Sequence, residues 1–181
     1  GFFDHTQARQ WIDLLYRDEF PYPTELRVAA LLHMGNTWHS DPQVAGAFYR
    51  QAISHAEASG DRELRIRAIA SLSIVAVLSG DYETAFSMAR EVLDYGRQTS
   101  NIRYVAQGHY RLAYVSCEAG LFSQALNACA HVREFAQEID DADGAAWGWI
   151  IEGRTYRRLG RPTEATSALD HAMRRFEQIG D

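Results

Sequence analysis

The chain contains no lysine; all 18 of its basic residues are arginine. Coding bias is the plain reading of that absence, although arginine brings a planar fork for carboxylates and phosphates that lysine lacks. Against 24 acidic residues the arginines leave a net charge of −6. A nucleic-acid face needs clustered positive charge, so this balance argues against direct contact with DNA or RNA. Cysteine is scarce: Cys117 and Cys129 cannot build a disulfide framework, and they point to the reducing cytoplasm. No window approaches the ~18 consecutive apolar residues of a membrane span. The first residues lack a basic region followed by a short apolar stretch, so no secretory signal is visible in them. With 4 prolines and 13 glycines in 181 residues, there are few places for irregular structure.

Chemistry-bearing motifs are missing as well. There is no phosphate loop, no glycine-rich dinucleotide turn and no nucleophile with a nearby histidine pattern. His33 and His39 are six apart, which suits neither adjacent turns of a helix nor a zinc pattern. The acid pair Asp140 and Asp141 falls in a turn and reads as solvated caps. No catalytic residue, metal site or cofactor is expected.

What the sequence does have is a period of 40. Turn-forming pairs recur at Gly60-Asp61, Ser100-Asn101, Asp140-Asp141 and Gly180-Asp181. A second series, Ser40-Asp41, Gly80-Asp81, Gly120-Leu121 and Gly160-Arg161, lies between them. Small residues keep the same register in two columns, Ala45, Ala85, Ala125, Ala165 and Ala52, Val92, Val132, Ala172. Such self-similarity marks a repeat architecture.

Between the turns the apolar spacing is helical. Leu64, Ala68, Leu72, Val75 and Ala76 follow it in one segment, and Ala85, Phe86, Ala89, Val92 and Leu93 in the next. First helices are predicted near 25–39, 62–79, 102–119 and 142–159, and second helices near 42–58, 82–98, 122–138 and 162–179. Glycine at the turns supplies the left-handed residue that ends a helix. Asp41 before Pro42 is a start signal, and Pro162 is its counterpart in the last repeat. The alanine column is read as the place where two helices cross too closely for a large side chain.

The fold class expected is therefore all-α, a right-handed solenoid of antiparallel helix hairpins. It forms one helical-repeat domain over 1–181, with repeats at about 22–60, 61–100, 101–140 and 141–181. Residues 1–20, with an amphipathic helix over Gln7–Tyr16, read as part of a leading hairpin. Leu169, Met173 and Phe176 on the last helix would be partly uncovered, which predicts a longer array.

The block Gly80-Asp81-Tyr82-Glu83-Thr84-Ala85 resembles the inter-helix turn of a tetratricopeptide repeat (TPR). Tyr49 with Ala52, Trp149 with Gly153, and the leucines Leu72 and Leu112 match further positions of that repeat; His33 departs from it. The longer period, the "GD" turns and the opening Gln7-Ala8-Arg9-Gln10-Trp11-Ile12 are similar to the C-terminal arrays of large bacterial signal-transduction ATPases and LuxR-type regulators of the maltose-activator kind. That resemblance implies a sensor or scaffold segment of a cytoplasmic regulator, with its ATPase and DNA-binding parts elsewhere.

TPR geometry implies that the first helices line a concave groove. The residues placed there are Arg27, Arg67, Gln107, Tyr110, Tyr114, Trp147, Arg154 and Arg157, continued by Ala30, Met34, Thr37, Ala70, Ile74, Val77, Cys117 and Ile150. Arginine forks take carboxylates in pairs, and tyrosine and tryptophan give rigid amphipathic contact area. A protein or peptide partner suits such a groove, as does an anionic small-molecule inducer. The blander reading makes the rings inter-repeat packing and the arginines solvated or locally paired, as Glu152 with Arg158 and Asp170 with Arg174. An alternative function is self-association into a homo-oligomer through uncovered ends, with no small-molecule ligand.

Overall fold

The computed structural model describes residues 23–38 and 40–179. The expected helix over Gln7–Tyr16 and residue His39 lie outside them. Among the described residues there are eight helices and no strand. These are α1 (Thr24–Thr37), α2 (Pro42–Ser59), α3 (Arg62–Leu78), α4 (Tyr82–Gln98), α5 (Ile102–Glu118), α6 (Phe122–Glu138), α7 (Ala142–Arg158) and α8 (Pro162–Ile179). Each lies within two residues of its predicted bounds at either end.

The bounds were legible because turn chemistry repeats. Asp41, Asp61, Asp81, Asn101 and Asp141 each accept a backbone N–H from the first turn of the helix that follows. A cap of this kind stabilises a helix by about 1 kcal/mol. At the other end, Gly120 is left-handed with φ of 77°. Its N–H donates to the Cys117 carbonyl, and the Leu121 N–H to the Ser116 carbonyl, at 3.2 and 2.8 Å. This pair of bonds satisfies carbonyls that the helix leaves open. Ser100 and Asp140, in the turns that end α4 and α6, take the same left-handed conformation at φ of 52° and 53°. Their N–H groups donate to Arg97 and Gln137. The turn geometry is thus fixed by backbone bonding, and the side chain is secondary to it.

The chain divides between Val75 and Ala76 into two compact units, and α3 runs through the division. In the first unit α1 packs on α2. The Tyr49 ring lies against Gly35, where a Cβ would have no room, and its hydroxyl donates to Asn36 Oδ1 at 2.7 Å. Val28, Ala45, Ala52 and Ile66 are buried there. In the second unit each helix from α4 to α8 packs on the next, and α5 also packs on α7. Both small-residue columns are buried throughout, from Ala45 to Ala165 and from Ala52 to Ala172.

The core also claims residues that the sequence placed in the groove. Met34, Ala70, Val77 and Cys117 are all 8% exposed or less. They sit where the helical stripe has already turned toward the packing partner, so they fill the interior. Cys117 and Cys129 are both free, buried thiols. Two expected ion pairs are also replaced. Glu152 pairs with Arg133 of α6 and not with Arg158. Arg158 reaches Glu118 Oε2 at 3.2 Å and the Cys117 carbonyl at 2.6 Å. Arg174 donates to His171 Nδ1 at 3.2 Å, where pairing with Asp170 was expected. For Glu152 and Arg158 the partner comes from another helix; for Arg174 it lies one turn back on α8 itself.

Candidate functional site

Helix α5 carries Tyr110 and Tyr114 one turn apart, which puts both on one face. Helix α7 carries Trp147 and Arg154 two turns apart. Packing α5 on α7 brings these faces together. The Tyr110 and Trp147 rings meet edge to face at 6.4 Å, and Trp147 meets Phe176 of α8 in the same manner at 6.1 Å. The Arg154 guanidinium lies over the Tyr114 ring at 5.7 Å and pairs with Glu118 at 3.0 Å. Arg111 covers the Tyr110 ring at 5.1 Å. Trp147 remains 43% exposed, enough to meet another molecule.

Electrostatics keep this face neutral in its rings and charged in its forks. Burial raises the pKa of the Tyr110 phenol above its ordinary value. Burial raises Tyr114 likewise, with Arg154 opposing the shift. Both hydroxyls are therefore protonated at neutral pH and can donate a hydrogen bond. Glu118 is shared between Arg154 and Arg158, so the two cations bring one carboxylate between them.

The expected groove residues separate into two sets. Gln107, Tyr110 and Tyr114 stand on α5 and Trp147, Arg154 and Arg157 on α7, all in the second unit. Gln107 is half-buried and Arg157 is exposed at the end of α7. Arg27 on α1 and Arg67 on α3 are half-buried in the first unit. His33 is exposed.

Sequence reasoning missed a second cluster on the same unit. Trp149 stacks on His171 at 4.5 Å with an 18° tilt, and the Arg133 guanidinium lies 4.0 Å from its ring centroid. One repeat earlier the same columns hold His109 and His131, 4.7 Å apart, with Phe135 beside both. A pocket of about 220 Å³ opens next to Trp149. Comparing columns 40 apart, 109 with 149 and 131 with 171, would have pointed to these ring pairs. Chemistry that needs a reactive thiol is disfavoured, because burial pushes the Cys129 thiol up to about 12. Among the described residues no cluster of three or more His, Cys, Asp or Glu could hold a metal ion. No helix among them is long and apolar enough to cross a membrane.

Solved structures resemble this architecture over almost its whole length. BtubC (BKLC) from P. vanneervenii has a TM-score of 0.72 at 15% identity, over 96% of this chain and 75% of its own. A putative kinesin light chain from Podosopora anserina, with nearly identical TPR-like repeats, has a TM-score of 0.63 at 15% identity, covering 97% and 89%. The fold is TPR-like. No family profile and no curated protein matches the sequence.

Proposed function

We propose that this chain is a non-catalytic TPR-like scaffold that binds a peptide or a segment of a partner domain across the α5–α7 face. The observation that carries this reading is the convergence of Tyr110, Tyr114, Trp147 and Arg154 on one partly exposed surface. Rigid aromatic side chains beside an arginine are the composition of binding hot spots. The Arg154 fork, already shared with Glu118, favours a ligand that brings a carboxylate of its own. The likeness of the "GD" turns to those of regulatory arrays supports a place in a larger cytoplasmic bacterial regulator, with Gln107 and Arg157 flanking this face; Arg27 and Arg67, on the first unit, are candidate contacts of their own. The test is a peptide array of aromatic and acidic sequences, followed by calorimetry on the hits. Tyr110→Ala or Trp147→Ala should weaken a hit roughly 30-fold, the effect of about 2 kcal/mol at a hot spot. Unchanged affinity in both variants removes this face from the function, and a metabolite that raises Tm where no peptide binds replaces the peptide with an inducer.

A second reading, self-association, is favoured by α8, where Leu169 is 42% and Met173 60% exposed. Light scattering separates the two. A mass that rises with concentration, and falls back in Met173→Glu, supports assembly, and a monomer throughout excludes it.

A further inference from the structure

Helix α8 presents bare a face that earlier repeats keep covered. Leu169, Met173 and Phe176 correspond, 40 residues back, to Cys129, Arg133 and Ala136 on α6, and 80 back to Ala89, Leu93 and Gly96 on α4. At those joints the next helix lies on them. A Cβ on Gly96 would stand 2.5 Å from the Val105 nitrogen of α5, and a Cβ on Gly108 of α5 would stand 2.6 Å from Leu93. Arg133 pairs with Glu152 of α7, and Cys129 shares a buried cluster with Ile151 of α7. Ala89, Cys129 and Ala136 are accordingly 0%, 0% and 1% exposed. On α8 the same positions are apolar and open: Leu169 is 42% and Met173 60% exposed, and Phe176 is half-buried. They form one stripe about 10 Å long. By the precedent of α4 and α6, what belongs on it is a helix.

The charges beside the stripe indicate which helix. On one side of it Ala172 is buried against α8's own neighbours. On the other side Asp170 and Arg174 are exposed, one turn apart. Arg174 turns to His171 and not to Asp170. A flank with one acid and one base, a turn apart, complements its own copy when the two helices run antiparallel. Asp170 then lies level with the partner's Arg174, and Arg174 with the partner's Asp170. A parallel pair would set like charges side by side, which is costly at an interface.

We propose that α8 is the interface of a two-fold homodimer. It packs antiparallel on α8 of a second copy through Leu169, Met173 and Phe176, and two reciprocal pairs of Asp170 with Arg174 hold the register. This rests on the self-association reading and gives it a face and a symmetry. The same patch serves both copies, so the contact closes at two. A stripe this short falls below the size of a stable interface, so dissociation is expected at roughly 100 µM.

Sedimentation equilibrium of the chain, from about 10 µM to about 1 mM, reads the mass. It should climb toward twice that of the monomer and no further. Met173→Glu should leave a monomer. Asp170→Arg and Arg174→Asp, each alone, should weaken the dimer at least roughly tenfold, because each sets two like-charged pairs together. An equimolar mixture of these two variants should recover the wild-type affinity, since both pairs are then of opposite charge. An unchanged Tm shows that each variant is folded. A dimer that persists in Met173→Glu, or a mixture that associates no better than its components, overturns the proposal and leaves self-association to another face. Growth past two copies overturns it as well. A monomer throughout overturns the proposal and the self-association reading together. If that monomer binds a synthetic peptide of the α7 sequence and Met173→Glu does not, the face takes its helix from another polypeptide.

Discussion

The α4–α5 and α6–α7 joints occupy the same place in successive repeats, yet one is shut and the other is open. At the first, backbone meets backbone at Gly96 and Gly108, and Tyr104 seals the edge. At the second, Gly148 faces the side chains of Val132 and Arg133, and Ala136 and Gly144 stand in place of Gly96 and Tyr104. The caps, the left-handed turn residues and the small buried columns are common to both. Fold and site therefore reside in different columns of one repeat. The columns that keep their size set the helix positions, and the columns that change size decide where a surface can receive something.

The strongest way to test that division is to attack a shared column. Ala85 and Ala125 are 1% and 0% exposed, inside clusters with Ala76, Val77 and Val115 and with Ala113, Cys117 and Cys129 respectively. Ala85→Arg or Ala125→Arg must overpack such a cluster and bury a charge, at a cost above about 3 kcal/mol. Both variants should lose cooperative melting or a large part of Tm. A melting curve like that of the wild type would show that the column does not hold the fold.

A smaller effect should separate the two joints. A Cβ on Gly108 would lie 2.6 Å from Leu93 Cα and 2.7 Å from its nitrogen, and backbone cannot step aside. Gly108→Ala should therefore destabilise by about 2 kcal/mol, despite the helix propensity that alanine adds. On the equivalent Gly148 a Cβ would meet Val132 Cγ1 at 3.1 Å and Arg133 Cγ at 3.3 Å, both side-chain atoms that can shift. There the propensity gain of about 1 kcal/mol offsets the crowding, and Gly148→Ala should leave stability near that of the wild type. Urea denaturation of the two variants measures the contrast, and equal effects would mean that the joints are equally tight.

The same distinction explains what could be read from the sequence. Helix bounds were accurate because Asp, Asn and Gly announce starts and stops locally, and small columns in register announce the hairpin crossings. Tyr110, Tyr114, Trp147 and Arg154 were grouped by the geometry that the TPR resemblance implies for first helices, and their contacts do bring them together. The Arg133–Glu152 pair was not legible, because its partners are 19 residues apart on different helices. The pocket was hidden for another reason: its lining mixes the small residues Ala136, Ala142 and Ala145 with polar ones from three helices, and periodicity along one helix does not register such a combination.

The finest contrast between the repeats is one of protonation. His109 stands in the column that holds Trp149 one repeat later. Burial, aided by the neighbouring His131 and Arg97 and opposed by Glu134, lowers its pKa from 6.5 to about 4. The unfolded chain therefore takes up a proton on this residue at a higher pH than the folded chain does. The stability linked to neutral His109 is complete above about pH 6.5 and is lost progressively as the pH falls from there to about 4. His109→Phe keeps a ring against Phe135 and removes the titration. Over the upper part of this window, between about pH 7 and pH 5 and so above the ordinary range of most carboxylates, urea denaturation should show wild-type stability falling more steeply than that of His109→Phe. Parallel slopes would mean that His109 is protonated in the fold as readily as outside it, and that the ring cluster of α5 and α6 is more open to water than its stacking distances imply.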